Sequence, residues 1–200
     1  GISMDARLYD EVNRVGTENV LSACRDTGVT RLVYTSSPSV VFAGQDQCGV
    51  DESAPYAFDW LARHRAFYAL SKARAERGVL AANCGELRTC ALRPHLIWGP
   101  GDTQLIPRLI HRAVVGRLRR IGEGTNLMDI TYVENAVDAH LLAADALARP
   151  VAEATSPAGK AYFISQGEPV NCWRWIDEVL ALVDLPPVAK SISVGMASRV

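Results

Sequence analysis

The stretch Arg31-Leu32-Val33-Tyr34-Thr35-Ser36 decides the fold class. Its β-branched and aromatic residues predict a short buried strand, and Gly28 just upstream is a typical helix stop. From Tyr9 to Thr27 the apolar residues recur near a 3.6-residue period, which predicts a helix. A helix that leads into a buried strand is typical of a parallel α/β sheet.

The same alternation of helices and strands continues toward the C-terminus. Periodicity and composition predict helices over residues 65–82, 105–115, 133–147 and 173–182, and strands over residues 87–93 and 161–165. Asn171 is a good N-cap for the last helix. Residues 38–60 are predicted to be a long loop, and residues 149–159 a linker. The fold class expected from this order is α/β with a mainly parallel sheet.

Composition excludes several kinds of protein. The 200 residues carry a net charge of -1 and 48% hydrophobic residues, so no overall field attracts nucleic acid or an anionic membrane. Any partner must therefore be recognised locally. No apolar run reaches the roughly 20 residues of a membrane span. Five cysteines without a C-x-x-C motif predict reduced, mostly buried thiols in a cytoplasmic protein, and the scattered histidines predict no metal site.

A nucleotide-binding sheet of the doubly wound kind begins with a strand, a glycine-rich turn and a helix, because glycine lets the backbone approach a pyrophosphate. Neither Gly99-x-Gly101 nor Gly122-x-Gly124 completes G-x-G-x-x-G, and the chain opens almost directly with a helix. We therefore expect residues 1–200 to be part of a longer protein whose first strands and glycine turn precede them.

Tyr68 and Lys72 carry the most informative chemistry. They lie four residues apart in a predicted helix and so share one helix face. A phenol has a reference pKa of about 10, so its use as an acid or base near neutral pH requires a nearby cation. The Lys72 ammonium is a candidate for that cation. The pattern Y-x-x-x-K is weak by itself, because both residues are common on solvated helix faces.

Two further polar residues belong to neighbouring elements. Ser37 follows the predicted strand, at the carboxyl edge where parallel sheets bind ligands, although a serine before Pro38 can also cap a turn. Asn13 lies in the middle of a predicted helix, where asparagine is unfavourable, and can bond a water or a backbone group near the site.

Together these residues resemble the extended short-chain dehydrogenase/reductase family. The matching segments run in family order: Val12 to Asn19, Val33 to Ser37, Tyr68 to Lys72, Leu92 to Pro100, and Asp129 to Val137. The resemblance implies a doubly wound Rossmann-type parallel sheet with a smaller C-terminal substrate lobe. Within the family, the chain looks most like the 3β-hydroxysteroid and 4-carboxysterol dehydrogenase branch and the bacterial 2-alkyl-3-oxoalkanoate reductases.

The resemblance also implies roles for individual residues. Tyr68 is the acid/base, and Lys72 lowers its pKa and bonds the nicotinamide ribose. Ser37 steadies the substrate oxygen, and Asn13 supports a water relay. The cofactor is NAD or NADP, which supplies the redox chemistry. The residues expected to hold it are Thr35, Ser36, Tyr68, Lys72, Pro94, His95, Leu96 and Ile97.

The expected reaction interconverts a secondary alcohol and a ketone on an apolar β-hydroxy or β-keto substrate. Ser37-Pro38-Ser39 lacks the acid pair that sugar-nucleotide dehydratases carry after this strand, so dehydration is not expected. His95 or Arg93 is a candidate to meet a substrate carboxylate. The residues expected to contact the substrate, each also plausible as ordinary core, are Ser37, Phe42, Trp98, Leu127 and Met128.

The expected organisation has two parts. Residues 1–95 form the C-terminal half of a dinucleotide-binding domain and carry the catalytic residues, with residues 129–165 partly returning to it. Residues 96–128 and 166–200 form a substrate-binding lobe, incomplete at its C-terminus. A homodimer is expected. Two other functions stay open: a nucleotide-sugar epimerase of the same family, and a non-catalytic scaffold that the missing glycine turn favours and the Tyr68/Lys72 pair disfavours.

Overall fold

The computed structural model describes residues 5–149 and 155–197, which form helices interspersed with strands. The helices are α1 (Ala6–Tyr9), α2 (Gly16–Asp26), α3 (Phe58–Arg63), α4 (Phe67–Ala81), α5 (Leu105–Val114), α6 (Val133–Ala148), α7 (Cys172–Ala181) and α8 (Val194–Ala197). The strands are β1 (Arg31–Thr35), β2 (Arg88–Pro94), β3 (Ile97–Trp98), β4 (Arg120–Ile121), β5 (Leu127–Met128), β6 (Thr131–Tyr132), β7 (Ala161–Ile164), β8 (Val170–Asn171) and β9 (Ser191–Ile192).

The described residues fall into two compact units. Unit 1 holds the chain up to His95 together with Asn135–Ile164, and unit 2 holds Leu96–Glu134 and the chain from Ser165 onward. The chain thus returns to unit 1 at Asn135, somewhat later than the residue 129 that the sequence suggested. Residues 150–154 of the predicted linker lie outside the described residues.

A parallel sheet of three strands, in the order β1-β2-β7, is the centre of unit 1. Thr35 of β1 pairs with Leu92 of β2, and Arg93 of β2 pairs with Phe163 of β7. β2 lies in the middle and is buried along nearly its whole length, as expected for a central parallel strand. The predicted α/β class with a parallel Rossmann-type sheet is therefore confirmed.

Helix α4 packs against this sheet through small side chains. Ala69, Ala73 and Ala75 are buried on its inner side, and alanine both favours a helix and allows close approach to the strand. Val79 continues the buried face and belongs to a cluster with Leu21 and Leu87. This packing fixes the position of every side chain that α4 presents at the carboxyl ends of the strands.

Unit 2 is built around the aromatic helix α7. Trp173, Trp175 and Ile176 are buried there with Ile130, and Trp98 packs against them. Short strands connect the rest of the unit: β3 pairs with β6 in parallel, β4 with β9 in parallel, and β5 with β8 antiparallel. The predicted N-cap of α7 is confirmed, because the Asn171 side chain accepts from the backbone N–H groups of Trp173 at 3.1 Å and Arg174 at 2.9 Å.

Three local differences separate the structure from the sequence-based expectation. The predicted loop of residues 38–60 contains a 3₁₀ turn, Pro38–Val41, and the start of α3 at Phe58. The turn forms because Val40 and Val41 are buried, which composition alone does not reveal. The predicted helix of residues 9–27 is interrupted by a π-helical segment, Asp10–Val15. Such segments are rare and frequent at functional sites.

The cysteines follow the expectation only in part. All five are free thiols, and Cys24 and Cys90 are buried, but Cys48 and Cys84 are exposed. In the described ranges no three His, Cys, Asp or Glu side chains converge as a metal site would require. Within those same ranges, each helix is too short or too polar to cross a membrane.

Candidate active site

Tyr68 and Lys72 lie one turn apart on α4 in unit 1. Tyr68 is 46% exposed, although most tyrosine surface is usually covered, and its ring packs edge-on against Tyr9 with the centroids 6.0 Å apart. Its neighbours Ala69, Leu70 and Ser71 are buried against the core. The helix therefore holds the phenol at the surface on a rigid backbone.

The Lys72 amine has two partners on strand β1. Its Nζ donates to the backbone carbonyl oxygen of Thr35 at 2.5 Å and lies 4.2 Å from the centroid of the Tyr34 ring. Burial lowers the pKa of Lys72 to about 8, and the negative charge of Glu76 opposes this shift. The amine is thus held at the end of the strand and titrates far closer to neutral pH than an exposed lysine.

The acidity of Tyr68 depends on its burial and on Ser37. Partial burial raises the pKa of the Tyr68 phenol, and a hydrogen bond with the Ser37 side chain opposes this rise. The sequence suggested that Lys72 would lower this pKa. The Lys72 amine bonds the Thr35 carbonyl oxygen, and the Ser37 hydroxyl is the neighbouring group that lowers the pKa of Tyr68 in this structure, so the effect of Lys72 on that pKa stays a prediction.

Ser37 both caps a turn and contacts the phenol. It is the N-cap of the 3₁₀ turn, where its Oγ accepts from the Ser39 N–H at 3.3 Å and lies 2.8 Å from the Ser39 Oγ. The turn-capping interpretation and the site interpretation of this serine are therefore compatible. The cap fixes the hydroxyl beside Tyr68.

Asn13 is joined to α4 through a residue that the sequence analysis did not single out. Its Nδ2 donates to the Ser71 Oγ at 3.0 Å, and Ser71 donates in turn to the backbone carbonyl oxygen of Tyr68 at 2.9 Å. The backbone carbonyl oxygen of Asn13 accepts a hydrogen bond from the Thr17 hydroxyl at 2.6 Å. Asn13 therefore links the π-helical segment to the turn of α4 that carries Tyr68.

The carboxyl end of β1 presents two further hydroxyl groups. The Thr35 Oγ1 lies 2.7 Å from Nε2 of His140 on α6. The backbone N–H of Ser36 donates to the Leu92 carbonyl oxygen at 2.6 Å, and its buried Oγ has no hydrogen-bond partner among the described residues. A buried hydroxyl without a partner is costly, and it marks a place where a bound group can accept or donate.

The predicted coenzyme segment after β2 crosses from one unit to the other. Pro94 ends β2 and is buried in unit 1. His95, also in unit 1, donates its backbone N–H to the Ile164 carbonyl oxygen at 2.9 Å and lies with its ring 5.8 Å from the Phe163 ring. Leu96 and Ile97 begin unit 2 and are both exposed.

The residues predicted to contact the substrate are divided between the units. Ser37 and Phe42 belong to unit 1, where the exposed Phe42 ring packs edge-on against Trp60 at 5.3 Å. Trp98 and Met128 belong to unit 2 and pack on its core, and Leu127 is 67% exposed on β5. Each unit by itself therefore holds only part of the predicted set.

Arg93 is engaged inside the protein and does not meet the expectation of a free partner for a substrate carboxylate. It forms an ion pair with Glu76 at 2.6 Å, and the two side chains are 3% and 0% exposed. Tyr56 adds a hydrogen bond to the same carboxylate at 2.8 Å. Glu76 was missed in the sequence, although its position one turn after Lys72 was visible there.

The arrangement in unit 1 is suited to proton transfer. A partly exposed phenol has a hydroxyl near it, and an amine with a lowered pKa lies on the next helical turn. The strand end nearby presents a buried hydroxyl that has no partner in the part of the chain that the structure describes. General acid–base catalysis requires a titratable group within hydrogen-bond reach of the reacting oxygen, held by rigid elements. Tyr68 is such a titratable group, partly exposed and held on a rigid helix.

Comparison with known proteins gives a consistent set of relatives. Residues 2–191 match the 3-beta hydroxysteroid dehydrogenase/isomerase family. The chain is 50% identical over 195 residues to the 2-alkyl-3-oxoalkanoate reductase of Stenotrophomonas maltophilia (strain K279a). This match covers 96% of the chain and 56% of the relative. It is 41% identical over 181 residues to the human sterol-4-alpha-carboxylate 3-dehydrogenase, decarboxylating, covering 89% of this chain and 46% of the relative.

A solved structure gives the same fold. MoeE5 in complex with UDP-glucose and NAD superposes with a TM-score of 0.67 at 30% sequence identity, covering 90% of this chain and 57% of that one. The chain thus spans about half the length of the relatives it matches.

Proposed function

Since the chain belongs to the 3-beta hydroxysteroid dehydrogenase/isomerase family, we propose that the whole protein is an oxidoreductase that uses NAD or NADP. Its reaction interconverts a secondary alcohol and a ketone. The substrate is an apolar β-hydroxy or β-keto compound, either a 3β-hydroxysteroid or a 2-alkyl-3-oxo acid. The names of the bacterial reductase and the human dehydrogenase support this class of substrate.

One observation carries the proposal: α4 holds the Tyr68 phenol at the surface, where the Ser37 hydroxyl lowers its pKa, and it holds the Lys72 amine one turn away, bonded to the Thr35 carbonyl oxygen. In the direction of ketone reduction, the Tyr68 hydroxyl donates a proton to the substrate oxygen, and in the opposite direction the phenolate accepts it. Ser37 hydrogen-bonds the same oxygen and steadies it. These two groups make the alkoxide-like oxygen of the transition state more stable than it would be in water.

Lys72 and Asn13 support Tyr68 in different ways. The amine of Lys72 bonds the coenzyme ribose and places a positive charge near the phenolate, which favours deprotonation. Asn13 supports a water relay that returns protons from solvent. Its link through Ser71 to the Tyr68 carbonyl oxygen supports this assignment, because that link fixes the asparagine against the catalytic turn.

The residues at the carboxyl end of β1 and β2 fit the nicotinamide end of a coenzyme. Ser36 offers a buried hydroxyl without a partner among the described residues, and ligands of open parallel sheets bind at this edge. When bound, the coenzyme supplies the two-electron redox chemistry that side chains lack. The residues proposed to hold it are Thr35, Ser36, Tyr68, Lys72, Pro94, His95, Leu96 and Ile97.

The two units are proposed to divide the binding task. Unit 1 forms part of the dinucleotide-binding domain, and unit 2 forms part of the substrate lobe. An apolar skeleton is supported by the exposed aromatic ring of Phe42 and by the lack of carboxylates in Ser37-Pro38-Ser39. The residues proposed to contact the substrate are Ser37, Phe42, Trp98, Leu127 and Met128.

A substrate panel tests the proposed class. The whole protein is assayed by coenzyme absorbance with 2-alkyl-3-oxo acids in the presence of NADH or NADPH, and with 3β-hydroxysteroids in the presence of NAD+ or NADP+. UDP- and dTDP-sugars are assayed by chromatography of the sugar product, because epimerisation returns the coenzyme to its starting oxidation state. We expect turnover with one of the two apolar classes. Turnover confined to the nucleotide sugars would assign the protein to the epimerase alternative, and no turnover with any substrate would favour a non-catalytic scaffold.

The proposal includes a homodimer in the cytoplasm. Exposed Leu8, Val12 and Val20 along the first helical elements support contact with a second copy, because large apolar side chains are more often covered. Sedimentation velocity of the wild type and of Val12→Glu tests the dimer: a dimer that the substitution leaves intact would place the contact elsewhere.

The proposed compartment rests on the cysteines. The absence of disulfides among the five cysteines supports a reducing compartment.

A further inference from the structure

His140 on α6 is hydrogen-bonded at both ring nitrogens. Its Nδ1 lies 2.6 Å from the Ala136 carbonyl oxygen, and its Nε2 lies 2.7 Å from the Thr35 Oγ1. A carbonyl oxygen can only accept, so Nδ1 carries the hydrogen and Nε2 of the neutral ring accepts from the Thr35 hydroxyl. The imidazole is therefore fixed in one tautomer and oriented toward the end of β1.

Thr35 connects this histidine to the amine of the candidate site. Its hydroxyl bonds His140, and its carbonyl oxygen accepts from Lys72 Nζ at 2.5 Å. As the last residue of β1, Thr35 has its backbone in the ladder with Leu92, while its side chain is exposed. Helices α4 and α6, distant in sequence, are thus joined by hydrogen bonds through one residue.

The Lys72 amine depends strongly on such an anchor. A lysine side chain has four rotatable bonds and loses rotamer entropy when it is held in one geometry, so a fixed amine needs a bonding partner. The neighbouring groups are the Tyr34 ring beneath the amine, Glu76 on the next turn and the Tyr68 phenol on the previous one. The hydrogen bond described for Nζ, to the Thr35 carbonyl oxygen, fixes the position of the amine at the strand end.

We propose that His140 is a positioning residue for Lys72 and acts through Thr35. The imidazole holds the Thr35 hydroxyl, the orientation of Thr35 holds its carbonyl oxygen in place, and that oxygen holds the amine. The importance of this amine for turnover rests on the proposed function above. The series of hydrogen bonds from His140 through Thr35 to Lys72 predicts properties of the Lys72 amine that can be measured without coenzyme or substrate.

The chain contains three lysines, Lys72, Lys160 and Lys190, which makes each amine individually observable. Lysine labelled with ¹³C at Cε is incorporated, and the resonances are assigned with Lys160→Arg and Lys190→Arg. The pKa of Lys72 and the mobility of its Cε are then measured by NMR titration and relaxation. His140→Phe keeps a ring without hydrogen-bonding atoms, and Thr35→Val keeps the shape without the hydroxyl.

Both variants are expected to release the amine from its buried position. The pKa of Lys72 then rises by about 0.5 pH unit or more toward the ordinary lysine value near 10.4, and the Cε becomes more mobile. His140→Gln, which retains an acceptor, and Thr35→Ser, which retains the hydroxyl, are expected to restore wild-type behaviour. The double variant His140→Phe/Thr35→Val is expected to shift no further than either single variant, because both break one link.

A matched control separates this link from a general disturbance of α6. Leu142→Phe places the same phenyl ring at a position of α6 that is exposed, and it is expected to leave Lys72 unchanged. If His140→Phe does not fold, Thr35→Val decides the question. A Lys72 resonance with unchanged pKa and mobility in folded Thr35→Val or His140→Phe would overturn the proposal. The proposed function is judged separately, because the substrate panel uses the wild type alone.

Discussion

Glu76 on α4 and Arg93 on β2 form a buried ion pair, with the carboxylate and guanidinium 2.6 Å apart and the side chains 0% and 3% exposed. The Arg93 Nε adds bonds of 3.2 and 3.1 Å to the two carboxylate oxygens, and Tyr56 donates its hydroxyl to one of them. The pair ties α4, the helix that carries Tyr68 and Lys72, to the central strand β2. It lies one turn after Lys72 and sets part of the charge that this amine experiences.

We predict that breaking this pair strongly destabilises unit 1. Arg93→Met or Glu76→Gln leaves one buried charge without its partner, and the expected loss is about 3–5 kcal/mol of unfolding free energy. Urea denaturation measures it. The exposed pair Arg7–Glu11 is the matched control: Glu11→Gln is expected to cost far less unfolding free energy, because solvent screens that pair. Equal losses at the two positions would contradict the account.

Ser71 is predicted to stabilise the turn that carries Tyr68. In Ser71→Ala the Asn13 amide loses its acceptor and the Tyr68 carbonyl oxygen loses its donor, and the expected cost is about 1–2 kcal/mol. Thermal unfolding reports the loss. Ser22→Ala, which removes only an exposed hydroxyl 3.4 Å from Asp26, is expected to change stability very little. A Ser71 variant as stable as Ser22→Ala would show that the link contributes nothing.

The lowered pKa of Lys72 predicts a specific dependence of stability on pH. Since the pKa is about 8 in the folded chain and about 10.4 in an unfolded one, the unfolded chain binds more protons between these values. The contribution of Lys72 to stability therefore increases as the pH rises from 8 toward 10. We expect the difference in unfolding free energy between the wild type and Lys72→Met to shift in favour of the wild type over this range. A difference independent of pH would refute it.

The measurement is restricted to pH values below 10 for a physical reason. Burial raises the pKa of the Tyr34 phenol to about 12 and also raises that of Tyr68. Above pH 10 such tyrosines ionise more readily in the unfolded chain, so stability falls with rising pH.

The 200-residue chain by itself is predicted to bind NAD and NADP weakly. Its sequence contains the groups proposed for the nicotinamide end but no glycine-rich turn for the pyrophosphate, which normally supplies backbone N–H donors at a helix N-terminus. Calorimetric titration is expected to give little heat at micromolar concentrations. Micromolar affinity would mean that other backbone groups of this chain bind the pyrophosphate.

The sequence predicted the sheet and the long helices because periodicity reports burial directly. Strands β1 and β2 and helices α4 to α7 lie within a few residues of their expected bounds. The 3₁₀ turn at Pro38–Val41 was missed, because one turn of helix has no period and its valines are buried by distant residues. The interruption of the first helix at Asn13 had a local signal, an asparagine in mid-helix.

The part of the candidate site that lies on one helix was predictable, because spacing along a helix determines which side chains share a face. Tyr68 and Lys72 share a face because they lie on one helix. The bond from the amine to Thr35 was not predictable, nor was the contact of Thr35 with His140. These residues come from a strand and from another helix, and only the tertiary fold brings them together. Arg93 was misinterpreted for the same reason: its charge suggested a ligand, whereas the fold places Glu76 against it.

The substitution Tyr68→Phe in the whole protein tests the central claim most directly. It removes the phenolic oxygen that is proposed to exchange the proton and leaves the ring against Tyr9. Turnover with the substrate that the wild type uses is followed by coenzyme absorbance, and coenzyme affinity and thermal unfolding are measured in parallel. The account predicts a loss of about 10²–10⁴ in kcat with both other properties retained. A variant with near-normal kcat would contradict it and remove Tyr68 from the mechanism.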